Sequence, residues 1–192
     1  MAFAFAVVVV GVGFLLGQWD ELDEATTSSS TTTSVVRGAG ALSASSRLVA
    51  DGIGPVRVGM TIADAAAAAQ VPLTNKYTYT EVECWYASPT GIDGIDFMMS
   101  GDRVVRVDVQ SPEVTTPSGI AIGASEADVI ASYGGHIRTE PHQYVPDGHY
   151  LIYEPDDPGL ANYRIFFETD GSNVTSMRSG RLPEVAFVEG CS

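Results

Sequence analysis

Thirteen residues recur along this chain at a constant spacing. Pro55-Val-Arg-Val-Gly59-Met-Thr61-Ile-Ala63-Asp64-Ala-Ala-Ala67 aligns with Gly119-Ile-Ala-Ile-Gly123-Ala-Ser125-Glu-Ala127-Asp128-Val-Ile-Ala131 at an offset of 64. Gly, Thr or Ser, Ala, Asp and Ala fall at matching places. A second match, Phe97–Val104 over Phe167–Val174, has an offset of 70 and a shared glycine at 101 and 171. Self-similarity of this kind limits the fold to two copies of one plan, with six extra residues in a connection of the second.

Each copy reads as a short β-branched strand (Val56 to Val58, Ile120 to Ile122), a glycine, a hydroxyl residue and, three positions on, an aspartate. That order is an N-cap with an acidic partner at N3, opening helices over 62–70 and 126–133. The stretch Gly123-Ala-Ser125-Glu-Ala127 also invites reading as a serine nucleophile on a tight turn. The turn ends in alanine rather than glycine, and Thr61 holds the equivalent place, so capping explains both hydroxyls. No catalytic residue is assigned and no enzymatic activity is expected.

Period-2 alternation follows each helix: Glu83 to Ala87, Ile95 to Met99 and Arg103 to Val109, then Tyr150 to Tyr153, Tyr163 to Glu168 and Asn173 to Arg178. Gly-Asp and Asp-Gly turns close the hairpins, and a last strand is expected over Val185 to Glu189. The expected fold class is α+β, two tandem repeats, each a strand-capped helix packed on an antiparallel β-sheet. Repeat 1 spans 48–115 and repeat 2 spans 116–192.

The motifs Val58-Gly59-Met60-Thr61-Ile62-Ala63-Asp64 and Ile122-Gly123-Ala124-Ser125-Glu126-Ala127-Asp128, each before antiparallel strands, resemble a group of small exported bacterial domains. The group includes the SmpA/OmlA (BamE) outer-membrane assembly lipoproteins and, where the unit is duplicated, the β-lactamase-inhibitor-protein fold. The resemblance covers 52–189 at the level of fold. It implies a non-catalytic protein that binds through a sheet face or loops. The chain departs from the inhibitors in having no cysteine pair within each repeat, and from the lipoproteins in having no cysteine near its start.

Residues 1–17 form an uninterrupted apolar run, short for a span and close to a signal h-region. No Lys or Arg precedes it, so either the chain starts upstream or the free amino group serves alone. An uncleaved signal anchor is favoured over a cleaved signal or a cytosolic chain. Residues 18–47, acidic and then Ser/Thr-rich, read as a flexible linker, with the folded part starting near Leu48. The chain is thus expected to be extracytoplasmic, touching membrane only through its N-terminal segment. Two cysteines, Cys84 and Cys191, fit one disulfide in that compartment, two buried thiols being the alternative.

Acidic residues outnumber basic ones 24 to 10, for a net charge of −14, which repels phosphate backbones. Nucleic acid is therefore not an expected partner; a protein or an envelope component is. Alternation sets Ile95, Phe97, Met99, Val105, Val107 and Val109, with Ile165, Phe167, Thr175 and Met177, under the helices. The opposite face displays Asp96, Met98, Arg106 and Asp108, with Arg164, Phe166, Glu168, Ser176 and Arg178. Arginine and large apolar groups among carboxylates suit a protein interface, the plainer reading being a solvated face with cross-strand ion pairs. Met98, Arg106, Arg164, Phe166 and Arg178 are the candidate binding residues there. His142 and Tyr144 join them from a long loop over 136–159. An alternative function uses His136, His142 and His149 of that loop as metal ligands in a metal-binding protein or metal-dependent hydrolase. Their spacings match no standard ligand pattern, so no metal or cofactor is assigned.

Overall fold

The computed structural model describes residues 40–76 and 83–191. The N-terminal apolar run and the Ser/Thr tract lie outside the described residues. Among the described residues no helix is long and apolar enough to cross a membrane. The fold is mixed α+β, with two antiparallel sheets and two α-helices among the described residues. Strands β1 (Leu48–Val49), β2 (Gly52–Ile53) and β3 (Val56–Arg57) form a small sheet in that order. Helix α1 (Ile62–Ala69) leads into β4 (Leu73–Asn75), β5 (Cys84–Pro89), β6 (Ile95–Ser100) and β7 (Arg103–Val109). Helix α2 (Glu126–Tyr133) leads into β8 (Ile137–Pro141), β9 (His149–Tyr153), β10 (Tyr163–Thr169) and β11 (Val174–Arg181). These eight strands make one sheet, ordered β4-β5-β6-β7-β11-β10-β9-β8.

The two sets of four strands meet where β7 pairs with β11, Gly180 opposite Arg106. A side chain at Gly180 would place its Cβ 2.5 Å from the Val105 carbonyl oxygen, so only glycine permits the two strands to close at this point. The core lies between the helices and one face of the large sheet. Phe97 and Phe167 are its largest fully buried side chains, with Ala65 and Ala69 one helical turn apart on α1 and Val129 on α2.

Both helices start as the sequence predicts. Thr61 Oγ1 accepts from the Asp64 N–H at 3.2 Å, and Ser125 Oγ accepts from the Asp128 N–H at 3.1 Å, with the Asp128 carboxylate returning to the Ser125 N–H. The turns that carry the caps are fastened to the following hairpins by matching bonds. Gly59 N–H meets Val104 O and Gly123 N–H meets Val174 O, both at 2.8 Å; Ile62 N–H meets Asp102 O and Glu126 N–H meets Ser172 O. Ser125 is thus engaged in helix capping. Ser125→Ala is expected to cost about 1 kcal/mol of stability, read as a shifted midpoint in urea unfolding; a variant as stable as the parent would show the cap to be idle.

Several expectations are corrected. Ile120–Ile122 is not a strand: Thr116 N–H bonds to Ile120 O and Ala124 N–H to Ala121 O, so its main chain is spent in turns. Val185–Glu189 is not a strand either; a 3₁₀ turn at Glu184–Ala186 replaces its beginning. The segment 136–159 is not one long loop, because β8 and β9 pair from Ile137↔Tyr153 to Pro141↔His149. Ordered contacts begin before Leu48, since Leu42 is buried in the core and its N–H bonds to Ala69 O. Two bulges re-aim side chains. Between β6 and β7 the register runs from Met98↔Arg106 to Met99↔Val104, so Val104 rather than Val105 joins the main core. Between β10 and β11 it runs from Glu168↔Ser176 to Thr169↔Val174, so Val174 is buried and Thr175 is exposed. An extra residue on one strand moves all that follows to the other face.

Candidate functional site beneath the C-terminal strap

The large sheet's second face collects the predicted binding residues in rows. Asp96 pairs with Asp108, Asp108 with Arg178, Arg178 with Phe166 and Phe166 with Ile152, across five strands. A neighbouring row runs through Tyr86, Met98, Arg106, Gly180 and Arg164. Alternation was the right guide to which residues share this face. It was a wrong guide to exposure: Met98 is fully buried, and Arg106, Phe166 and Arg178 keep 5%, 5% and 2% of their surface.

What covers them is the chain's own C-terminus. Residues 182–191 cross the face as a strap, ending in the Cys84–Cys191 disulfide. The arginines hold it by main-chain carbonyls. Arg178 Nε donates to Val185 O at 2.8 Å, and Arg106 Nη1 donates to Phe187 O at 2.5 Å. Carbonyls spent in this way are not available to a strand ladder, which is why 185–189 is irregular. Val185 closes a second apolar cluster with Tyr150, Ile152 and Phe166.

Electrostatics explain why buried arginines are tolerated. Arg106 grips Asp108 through Nε and Nη2, and Arg178 Nη1 pairs with Glu168. The Arg178 guanidinium also lies 4.5 Å from the Phe166 ring centroid and 5.4 Å from that of Tyr150. Burial and the neighbouring Arg106 lower its pKa to about 10, leaving it charged at neutral pH. Burial pushes the Asp108 carboxyl up, against the pull of Arg106. Facing Asp108, Asp96 is held by Lys76 Nζ at 2.6 Å and by the Ser88 hydroxyl at 2.5 Å. Like charges paired across a ladder are tolerable when each has its own cation.

The 142–148 loop seals one end of the strap. Tyr144 is 57% exposed, and its hydroxyl donates to Glu189. His142 stacks on Tyr150 with centroids 4.5 Å apart, and its Nδ1 accepts from the Tyr144 and Val145 N–H groups. Burial, then the positive charge of Arg178, lowers the His142 pKa. As pH falls through the ordinary value of 6.5, the unfolded chain therefore takes up the proton first and stability is withdrawn. Arg164 is occupied locally, by Ala161 O, Tyr163 O and Glu154.

The three histidines are not brought together. His136 Nδ1 lies 3.2 Å from Asp156 at the far end of the β8–β9 pair, His142 is against Tyr150, and His149 Nδ1 lies 2.8 Å from Glu126 at the start of α2. Among the described residues no three His, Cys, Asp or Glu side chains are grouped to hold a metal ion. Sequence reasoning missed the strap. One signal pointed to it: Cys191, whose pairing with Cys84 ties this segment to β5.

No protein-family model matches the chain, and no curated protein matches it. Among solved structures it is similar to the uncharacterized protein yfeY from Escherichia coli, at 13% identity and a TM-score of 0.47, over 70% of this chain and 99% of that one.

Proposed function

We propose that this is a non-enzymatic extracytoplasmic domain, secreted or anchored by its N-terminal segment, that binds a protein of the cell envelope. The interface is the outer surface of the strap with the 142–148 loop. The observation that supports it is the placing of apolar surface. Of the four exposed large hydrophobic residues among those described, Tyr144, Leu182 and Phe187 belong to the loop and the strap; the fourth, Ile130, is on α2. A bond from Tyr144 to Glu189, a bond from Arg106 to Phe187 O and the disulfide restrain this surface. Pre-ordered aromatic side chains make good anchors, because little entropy is lost when a partner covers them. On this reading Met98, Arg106, Phe166 and Arg178 support the interface from beneath, while Tyr144 touches the partner and His142 positions its loop. The caps at Thr61 and Ser125, their matched bonds and the two matched bulges further support a duplicated unit of the inhibitor-like kind.

The test is cross-linking capture from the source organism's envelope, with the parent chain beside Tyr144→Asp/Phe187→Asp. A defined partner should be recovered with the parent and reduced about tenfold or more with the variant, the loss expected when central aromatic anchors are removed. Equal recovery by both would refute this interface.

A further inference from the structure

The helix side of the large sheet, opposite the strap, carries a cavity of about 220 Å³. Tyr133 at the end of α2, Tyr153 of β9, Ile165 of β10, Val49 of β1 and Pro117 of the connection before α2 are among its walls. No lining side chain carries a charge. The rings of Tyr133 and Tyr153 pack together with centroids 4.6 Å apart, so one wall is aromatic. A dry apolar cavity of roughly 150 Å³ takes one benzene ring, and this one therefore has room for two fused rings or a ring with a short chain. Removing such a body from water is favourable in itself.

The charge such a ligand should bear is indicated at the rim. Arg47 is exposed, and it stands two residues before Val49 on extended chain, so the two side chains point the same way. Its Nη1 donates to the carbonyl oxygen of Pro117 at 3.3 Å, which fixes the guanidinium beside a second wall residue. Acids outnumber bases 24 to 10 in this chain, and every other lysine or arginine among the described residues lies no farther than 3.9 Å from a carboxylate. Arg47 alone has no ion pair among the described residues, and its Nε and Nη2 are uncommitted there. A guanidinium with donors to spare, beside an uncharged apolar cavity, suits an anionic head on an apolar body. The acid surplus of the chain favours a single negative charge over a phosphate's two.

We propose that this cavity binds a small aromatic monocarboxylate, its ring against Tyr133 and Tyr153 and its carboxylate on Arg47. The site is on the face away from the strap, and the inference does not rest on the protein interface. Specificity divides between the two parts. The cavity selects the size of the ring system, and Arg47 selects the acid over its neutral analogues.

The test is calorimetric titration of the oxidised full-length chain with 3-phenylpropionate and 2-naphthylacetate, beside the amide of each. At least one acid is expected to saturate one site per chain with a Kd below about 1 mM, and its amide to bind about fivefold more weakly, the scale of an exposed ion pair. Arg47→Gln should remove that preference and leave the amide's affinity as it was. The side chain is exposed and makes one hydrogen bond, so this variant is expected to fold. Leu160→Glu sets a carboxylate in the cavity wall and should weaken both acids about tenfold or more. Its melting temperature shows whether it folds; if it does not, the acid-to-amide ratio in Arg47→Gln decides alone. Absence of saturable binding by both acids overturns the proposal. So does equal binding of acid and amide, a preference that survives Arg47→Gln, or affinity unchanged in a folded Leu160→Glu.

Discussion

Cys84→Ser/Cys191→Ser should melt about 10–15 °C below the parent, at the usual few degrees per kcal/mol for a domain of this size. The bond joins residues 107 apart. Removing a cross-link over a loop of that length restores unfolded-state freedom worth about 4–5 kcal/mol in the chain-entropy model. Here the native state is affected as well, because the same bond holds the last residues of the strap across the sheet. Circular dichroism melts of the oxidised parent, the reduced parent and the double variant check this. Reduction should reproduce the variant. A melting point within about 3 °C of the parent would mean that the arginine bonds alone fix the strap.

Arg178→Met is expected to cost about 3–5 kcal/mol, the range for removing one partner of a buried ion pair. The methionine keeps much of the packing against Phe166 and Tyr150. It leaves the Glu168 carboxylate without its arginine and the Val185 carbonyl without a donor. Denaturant unfolding gives the total cost. Amide exchange at Val185 and Val188 locates it, with protection lost there before the rest of the sheet. Adding Glu168→Leu should recover part of the stability, since the stranded charge is then removed. If the single variant lost less than about 1 kcal/mol, the pair would be behaving as an ordinary solvated one.

These expectations also mark where sequence reasoning succeeded. The two caps, the two helices and the hairpins of β6–β7 and β10–β11 were legible because their causes are local. A hydroxyl three residues before an aspartate satisfies helix N–H groups whatever the rest of the chain does. Alternation over Ile95–Met99 and Tyr163–Glu168 names a buried face in the same way. The bulges were not legible. Val104, Val105, Val174 and Thr175 are all acceptable strand residues, and only the partner strand's register decides which of them turns inward. The β8 strand, Ile137–Pro141, was missed because four of its five residues are exposed and its alternation is weak.

The candidate site divides along the same line. The residues that share the second face, and the cysteine pair that ties the chain's end to β5, followed from period and arithmetic. Their burial did not. Val185 to Glu189 has the composition of a strand, but the sheet offers it no central edge, because β7 and β11 already pair with each other. The segment was therefore left to lie across the face. Two arginines chosen by alternation for an open interface became the clamps of a closed one. By itself, the sequence determined which residues stand together on each element, since caps, turns and alternation act over a few residues. Only the tertiary structure decided that residues 182–191 would cover that face and leave one arginine nitrogen without a partner. Which surface is buried depends on contacts between segments some eighty residues apart, to which no local pattern responds.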